Sequence, residues 1–130
     1  MLFTFYRLRF GLFALVTVAG CGSSGGGTPT PPTSPGGSVT VITITAGGAS
    51  PRDVTVALGT RIRWVNNDTR NHEMSSDPHP EHNLCPEMNS RLLPPGQSHE
   101  TNNLVTARTC GFHDHLHPEQ VNLTGTITIR

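Results

Sequence analysis

The segment "DVTVALGTRIRWVNND", Asp53–Asp68, decides the fold class of this 130-residue chain. It contains two runs rich in β-branched residues, which the turn residue Gly59 separates. Further alternating runs are "VTVITIT" (Val39–Thr45) and "GTITIR" (Gly125–Arg130), and "ETNNLVTARTCGF" adds one or two more. Short strands between turn signals predict an all-β domain, a Greek-key β-sandwich or barrel.

Prolines argue against helices in this part of the chain, because each would interrupt a helical run. They are Pro51, Pro78, Pro80, Pro86, Pro94, Pro95 and Pro118. Aromatic residues make up only 5% of the chain, so the predicted core is mostly aliphatic. Its candidates are Val41, Ile44, Val54, Val56, Ile62, Trp64, Leu104, Ile127 and Ile129.

Residues 1–20 have the features of an export signal, with Arg7 and Arg9 before an apolar run too short for a permanent transmembrane helix. The run ends in "VAGC", Val18–Cys21, which closely resembles the lipobox of bacterial lipoproteins. The resemblance implies cleavage before Cys21 and lipid on its thiol. Residues 21–38 predict a Gly/Ser/Pro-rich tether, and residues 39–130 the folded domain. We therefore expect a lipid-anchored protein of the cell envelope, on the extracytoplasmic side of the membrane, periplasmic or at the cell surface.

The charge balance argues against a nucleic-acid partner. The chain has no Lys, and after removal of Arg7 and Arg9 seven Arg remain against nine acidic residues. Nucleic-acid binding needs a basic surface that neutralises phosphates. We expect a monomer whose membrane contact is the lipid anchor.

Three segments occur in an informative order: "RWVNNDTRNH", which ends at His72, then "LLPPGQSHET", then "TARTCGFHDH", with "LTGTITIR" closing the chain. This order resembles the cupredoxins, the plastocyanin and azurin family of small copper proteins, over most of residues 39–130. The resemblance implies a cupredoxin-like sandwich that binds copper, with His72 as the first imidazole and Cys110 as the thiolate ligand.

The second imidazole stays open between two residues. Plastocyanin-like members have Cys-x2-His, which selects His113, and azurin-like members have Cys-x4-His, which selects His115. A thiolate with two imidazoles suits copper, because soft sulfur favours the reduced ion and nitrogen suits the oxidised ion.

Two departures from the family pattern concern further ligands. Leu123 stands near the position where many members carry an axial Met. The alternative axial candidates are Gln120, Met74 and Met88. The loop "SSDPHPEHNLCPEMN" adds His79, His82 and Cys85, which could form a second site, complete the first, or take no part in metal binding.

A Cys85–Cys110 disulfide is the competing hypothesis, because an exported domain with two Cys is normally suspected of one. The preferred function is a membrane-tethered copper protein that transfers electrons or handles copper, with a redox or copper-exchange protein as partner. The alternative is a copper-less binding or interaction domain stabilised by the disulfide. An enzyme is not expected. "GFHDH" resembles the "GFHVH" motif of Cu,Zn superoxide dismutases, but only 15 residues follow His115, too few for that family's further ligands.

Overall fold

The structure is a computed structural model that describes residues 37–130. The predicted signal peptide, the predicted lipidation site Cys21 and most of the tether lie outside the described residues. The eight strands are β1 (Val39–Thr45), β2 (Gly48–Ser50), β3 (Asp53–Val56), β4 (Arg61–Asn66), β5 (Met74–Ser76), β6 (Ser98–Glu100), β7 (Arg108–Asp114) and β8 (Gly125–Ile129). Two short 3₁₀ turns span Pro86–Met88 and Val121–Leu123.

The strands form two four-stranded sheets, with the orders β2-β1-β4-β6 and β3-β8-β7-β5. β1 runs parallel to β4 and β3 runs parallel to β8, whereas the other pairs are antiparallel. The predicted all-β, two-sheet architecture is confirmed. Within residues 37–130, no helix has the length and apolar character needed to cross a membrane.

The core between the sheets is centred on Trp64 and Phe112, whose rings meet edge to face with centroids 5.1 Å apart. Around them pack the aliphatic residues of β1, β4 and β8. Val41 is not one of them: it is 45% exposed, whereas Ile42 and Ile44 are fully buried. Alternate residues of a strand face opposite sides, so Val41 and Ile44 cannot both point inward.

The long segment between β5 and β6 is fixed to the second sheet by a disulfide between Cys85 and Cys110. Cys85 directly precedes the turn Pro86–Met88, Cys110 lies in β7, and both are fully buried. Close by, the Arg108 guanidinium forms an ion pair with Glu87. The structure therefore contains the cross-link that the sequence left open, and it holds the His79–Cys85 loop against β7.

Candidate metal centre

The loop after β4 is folded around Asn66 and brings His72 into the interior. Asn66 Nδ2 donates to the carbonyl oxygens of Arg70 and Leu93, at 2.7 Å each. Asn66 Oδ1 accepts from the Asp68 N–H at 2.8 Å. His72 then forms an isolated antiparallel bridge with Leu93. The imidazole is fully buried as a result, although it belongs to a loop.

Each ring nitrogen of His72 meets a carboxylate. Nδ1 lies 2.7 Å from Asp114 Oδ2, and Nε2 lies 3.1 Å from Asp68 Oδ2. Burial alone would raise the pKa of the Asp68 carboxyl, but hydrogen bonds from the Thr69 N–H, Arg70 and His72 outweigh burial and lower the pKa to about 2. Asp68 thus contacts the imidazole from behind while Nδ1 faces Asp114, an arrangement like that of carboxylates behind metal-binding imidazoles.

Two successive turns follow β7 and run from Asp114 through His117 to Gln120. The His117 N–H donates to the Asp114 carbonyl at 3.2 Å, and the Gln120 N–H donates to the His117 carbonyl at 3.0 Å. The ligand atoms of His72, Asp114 and His117 all lie within 4.8 Å of one another. We call these three residues the buried centre.

The buried centre has a coherent set of metal donors. Asp114 Oδ1 accepts from the Glu73 N–H at 2.9 Å and from the Leu116 N–H at 3.2 Å, which leaves Oδ2 directed at His72. Two imidazoles and one carboxylate suit Cu²⁺, Zn²⁺ or Fe²⁺. The donors present therefore fit a transition-metal ion, but not a copper site that depends on a thiolate.

Gln120, the axial candidate outside the core, is joined to the same network through Arg70. Its Oε1 lies 3.4–3.5 Å from the Arg70 guanidinium, which forms a 2.9 Å ion pair with Asp68. Gln120 thus contacts Arg70, which in turn contacts Asp68 behind His72. The other axial candidates, Met74 and Met88, are fully buried in the core, as is Leu123.

Cys110 does not belong to the buried centre, and its predicted role as a thiolate ligand needs correction. Its sulfur is bonded to Cys85 in this structure, so it is not a thiolate. Cys110 and Asp114 share the inner face of β7 but lie four residues apart, about 13 Å at a rise of about 3.3 Å per residue. His72 meets the residue at the end of the strand, which is Asp114.

His113, on the outer side of β7, and His115, directly after the strand, meet His79 and His82 from the loop after β5. His82 Nε2 lies 3.2 Å from His113 Nε2, 3.2 Å from His115 Nδ1 and 3.4 Å from His79 Nδ1. Burial, reinforced by the charges of the neighbouring imidazoles, lowers the pKa of His82. We call these four residues the outer His cluster. Neither His113 nor His115 joins His72, contrary to the predicted ligand set.

The sequence interpretation missed Asp114 and His117 as partners of His72. A usable signal was present: Asp114-x2-His117-x2-Gln120 places three polar side chains at turn spacing directly after a strand. The resemblance to copper proteins had instead pointed to Cys110 as the residue that β7 brings to His72.

The strand arrangement and the comparison with solved structures agree on the fold: the chain has a cupredoxin-like β-sandwich fold. A purple cupredoxin from Nitrosopumilus maritimus is 23% identical with a TM-score of 0.57, and the match covers 69% of this chain and 98% of that one. An oxidised single-substitution variant of amicyanin is 16% identical with a TM-score of 0.58, covering 73% and 83%. A Cu(I) form of another amicyanin variant is 15% identical with a TM-score of 0.56, also covering 73% and 83%. No protein-family model and no curated protein sequence matches the chain.

Proposed function

We propose that the domain binds a copper ion at the buried centre and serves in copper handling at the membrane surface. The observation that carries this proposal is the convergence of ligand atoms from His72, Asp114 and His117 within 4.8 Å. Asp68 supports it from behind His72, because a carboxylate that accepts the second imidazole N–H fixes the ring and raises its basicity.

Copper is favoured among the ions that this donor set suits. Zn²⁺ and Fe²⁺ also accept two imidazoles and a carboxylate. However, Cu²⁺ generally binds a given nitrogen and oxygen site more tightly than other divalent first-row ions. The solved structures of similar fold also include a Cu(I) form of an amicyanin variant.

The carboxylate bears on the kind of copper function. Sulfur ligands favour Cu⁺, whereas nitrogen and oxygen ligands favour Cu²⁺. A centre made of two imidazoles and Asp114 therefore stabilises the oxidised ion, which opposes rapid exchange between two oxidation states. For this reason we favour storage or delivery of copper, with a copper-exchange protein as partner, over electron transfer to a redox partner.

We extend the proposal to location: the domain is held at the extracytoplasmic face of the membrane by lipid on Cys21. The "VAGC" segment and the Gly/Ser/Pro-rich tether support this placement, and the Cys85–Cys110 disulfide suits an oxidising compartment. The variant Cys21→Ser should move the protein from the membrane fraction to the soluble fraction. Equal membrane retention of the variant would contradict lipidation.

The copper proposal is tested by titrating metal-free protein with Cu²⁺ and recording electron paramagnetic resonance and visible absorption. A His79→Ala/His82→Ala background removes two imidazoles of the outer His cluster, so that only copper at the buried centre is counted. We expect one bound Cu²⁺ with hyperfine coupling from two imidazoles and no intense thiolate charge-transfer band.

His117→Ala and His99→Ala form a matched pair of variants for this titration. In the same background, His117→Ala should weaken Cu²⁺ binding by about 100-fold or more, since loss of a ligand exceeds the effect of losing an outer-shell partner. His99, which lies in β6 opposite Trp64, should be replaceable without loss. An intense visible band that disappears in Cys110→Ser would instead identify the cysteine as a ligand and contradict the proposal.

A copper-less interaction domain is the second candidate, and two observations favour it. The Cys85–Cys110 disulfide removes the thiols from metal binding. In addition, His72 as an imidazolium could donate to both Asp68 and Asp114, which would make the same contacts a purely structural buried network. A folded protein that takes up no stoichiometric Cu²⁺ in the titration would establish this candidate over the first.

A further inference from the structure

We propose that the outer His cluster is a second metal site, which binds a borderline first-row ion such as Zn²⁺ or Cu²⁺ through His79, His82 and His113, with His115 as a fourth imidazole beside His82. The site lies on the outer side of β7 and is separate from the buried centre. Its ligands come from two segments, the loop after β5 and the end of β7.

The nitrogen-to-nitrogen distances match the edges of a metal coordination shell. The three contacts of His82 Nε2 measure 3.2, 3.2 and 3.4 Å. Four nitrogens arranged tetrahedrally at about 2.0–2.1 Å from an ion are separated by about 3.3–3.4 Å. These three contacts of His82 are therefore close to the spacing that an imidazole-bound ion imposes, and the ligand atoms of His79, His82 and His113 all lie within 4.8 Å of one another.

Hydrogen bonding accounts for this convergence poorly. A neutral imidazole nitrogen carries either one proton or one lone pair, so His82 Nε2 can make one good hydrogen bond with the imidazoles around it. Three ring nitrogens nevertheless lie within 3.4 Å of it. An ion that accepts all the lone pairs satisfies the four rings at once, and imidazole is a donor that Zn²⁺ and Cu²⁺ both favour.

A carboxylate orients His113 from behind. Asp77 Oδ1 lies 2.7 Å from His113 Nδ1, on the side of the ring opposite the Nε2 that meets His82. The Asp77 N–H donates to the Gly111 carbonyl at 3.0 Å, which anchors Asp77 alongside β7. This carboxylate-imidazole pair has the arrangement that sets the tautomer and direction of metal ligands.

The loop also fixes His82 in an unusual backbone conformation. Its φ is 51°, a value that residues other than Gly rarely adopt. The His82 N–H donates to the Pro78 carbonyl at 2.7 Å, and the His82 carbonyl accepts from Ser76 Oγ and Asn89 Nδ2 at 2.9 and 3.1 Å. Strained positions held by their surroundings are concentrated at binding sites, and here the strained residue is the one at the middle of the cluster.

The test uses the metal-free full chain, titrated with Zn²⁺ and, as a coloured probe, with Co²⁺. We expect two Zn²⁺ per wild-type chain, one in His79→Ala/His82→Ala, one in His117→Ala and two in the control His99→Ala. Tetrahedral Co²⁺ bound by imidazoles should give strong visible absorption in His117→Ala that is lost in the double variant. His79 is exposed and His82 half-buried, so their replacement should leave the melting curve of the metal-free protein unchanged.

The outcomes separate this site from the buried centre. If wild type and His117→Ala both bind one ion that the double variant loses, the outer site stands and the buried centre does not. Zn²⁺ binding of the double variant equal in number and affinity to that of His99→Ala would overturn the outer site.

Discussion

Asp114, at the end of β7, takes the place beside His72 that the resemblance to copper proteins had assigned to Cys110. Its side chain is fully buried, its Oδ1 is held by two backbone N–H groups, and its Oδ2 lies 2.7 Å from His72 Nδ1. A carboxylate fixed in this way is a hard donor with one defined direction. Under the proposed copper function, an oxygen ligand in place of sulfur at this residue favours the oxidised ion.

Replacing Asp114 by Cys should convert the buried centre into a thiolate site, because the new sulfur would stand beside His72 and His117. With Cu²⁺ the variant should show an intense visible charge-transfer band that wild type lacks. Asp114→Asn is the control, since it removes the charge without adding sulfur, and it should give no such band. A folded Asp114→Cys protein that stays colourless with Cu²⁺ would show that copper does not bind at the end of β7.

Which residues lie beside His72 depends on where β7 ends, and the sequence predicts this only in part. His72 was predictable because an Asn/Asp turn follows the apolar run of β4 and delivers one histidine. Cys110 was misassigned because Cys-x2-His brings two side chains together only across a turn. In a strand that continues, residues i and i+3 face opposite sides. The sequence does not reveal that pairing with β5 and β8 keeps the chain extended as far as Asp114.

At the scale of elements, the alternation of β7 explains "CGFHDH" residue by residue. Cys110, Phe112 and Asp114 face inward, where they form the disulfide, the aromatic contact with Trp64 and the buried centre. Gly111 and His113 face outward toward Asp77. A single strand thus carries one candidate metal site on each side. The period of two was visible in the sequence, but the partners on each face come from distant loops, which local patterns do not predict.

Gly111→Ala should weaken metal binding at the outer His cluster although Gly111 is not a ligand. A Cβ at this position would collide with the Asp77 carboxylate and displace it from His113. Loss of such an outer-shell partner typically costs about 10–100-fold in metal affinity. Zn²⁺ titration in the His117→Ala background measures this site alone. Unchanged affinity would mean that Asp77 does not orient His113.

The β4–β6 pair should contribute a pH-dependent part of the stability through Glu100. Its carboxylate accepts from Arg63 at 2.6 and 2.9 Å and lies 2.6 Å from the Arg61 guanidinium. The Arg63 hydrogen bond, aided by both Arg charges and opposed by partial burial, lowers the pKa of Glu100 below its usual 4.5. The stabilisation is therefore present above about pH 4.5 and is lost as the pH falls through the lower pKa of the folded state.

Urea unfolding of wild type and Glu100→Gln at neutral pH and near pH 3 checks this sign. The variant should be less stable at neutral pH, and the difference should shrink at acid pH. Glu119→Gln, at an exposed position, serves as the control. A difference between wild type and Glu100→Gln that does not change with pH would contradict the role assigned to the Arg pairs.

At the scale of the whole domain, the hydrophobic core and the candidate metal sites use different parts of the same small sandwich. The aliphatic and aromatic core between the sheets carries the fold, and the sequence predicted most of it because alternation and β-branched residues are strong local signals. The disulfide and the outer His cluster instead join the segment between β5 and β6 to β7, and the buried centre joins the loop between β4 and β5 to the end of β7. These contacts join residues that are far apart in the sequence. The sequence therefore identified the Cys and His residues as candidates, but not which of them lie together.

Removing the disulfide should therefore lower stability without removing the buried centre. The bond closes a loop with a sequence separation of 25, for which loop-closure entropy predicts a loss of about 3–4 kcal/mol in the free energy of unfolding. The double variant Cys85→Ala/Cys110→Ala tests this by urea unfolding under oxidising conditions. Reduced wild type should show a similar loss, which serves as the control.

Because Asp114 and His117 lie beyond Cys110 on the strand and the following turn, the variant should still bind one Cu²⁺ at the buried centre in the background without His79 and His82. If that copper is lost while the domain remains folded, Cys110 takes part in metal binding after all and the carboxylate assignment fails.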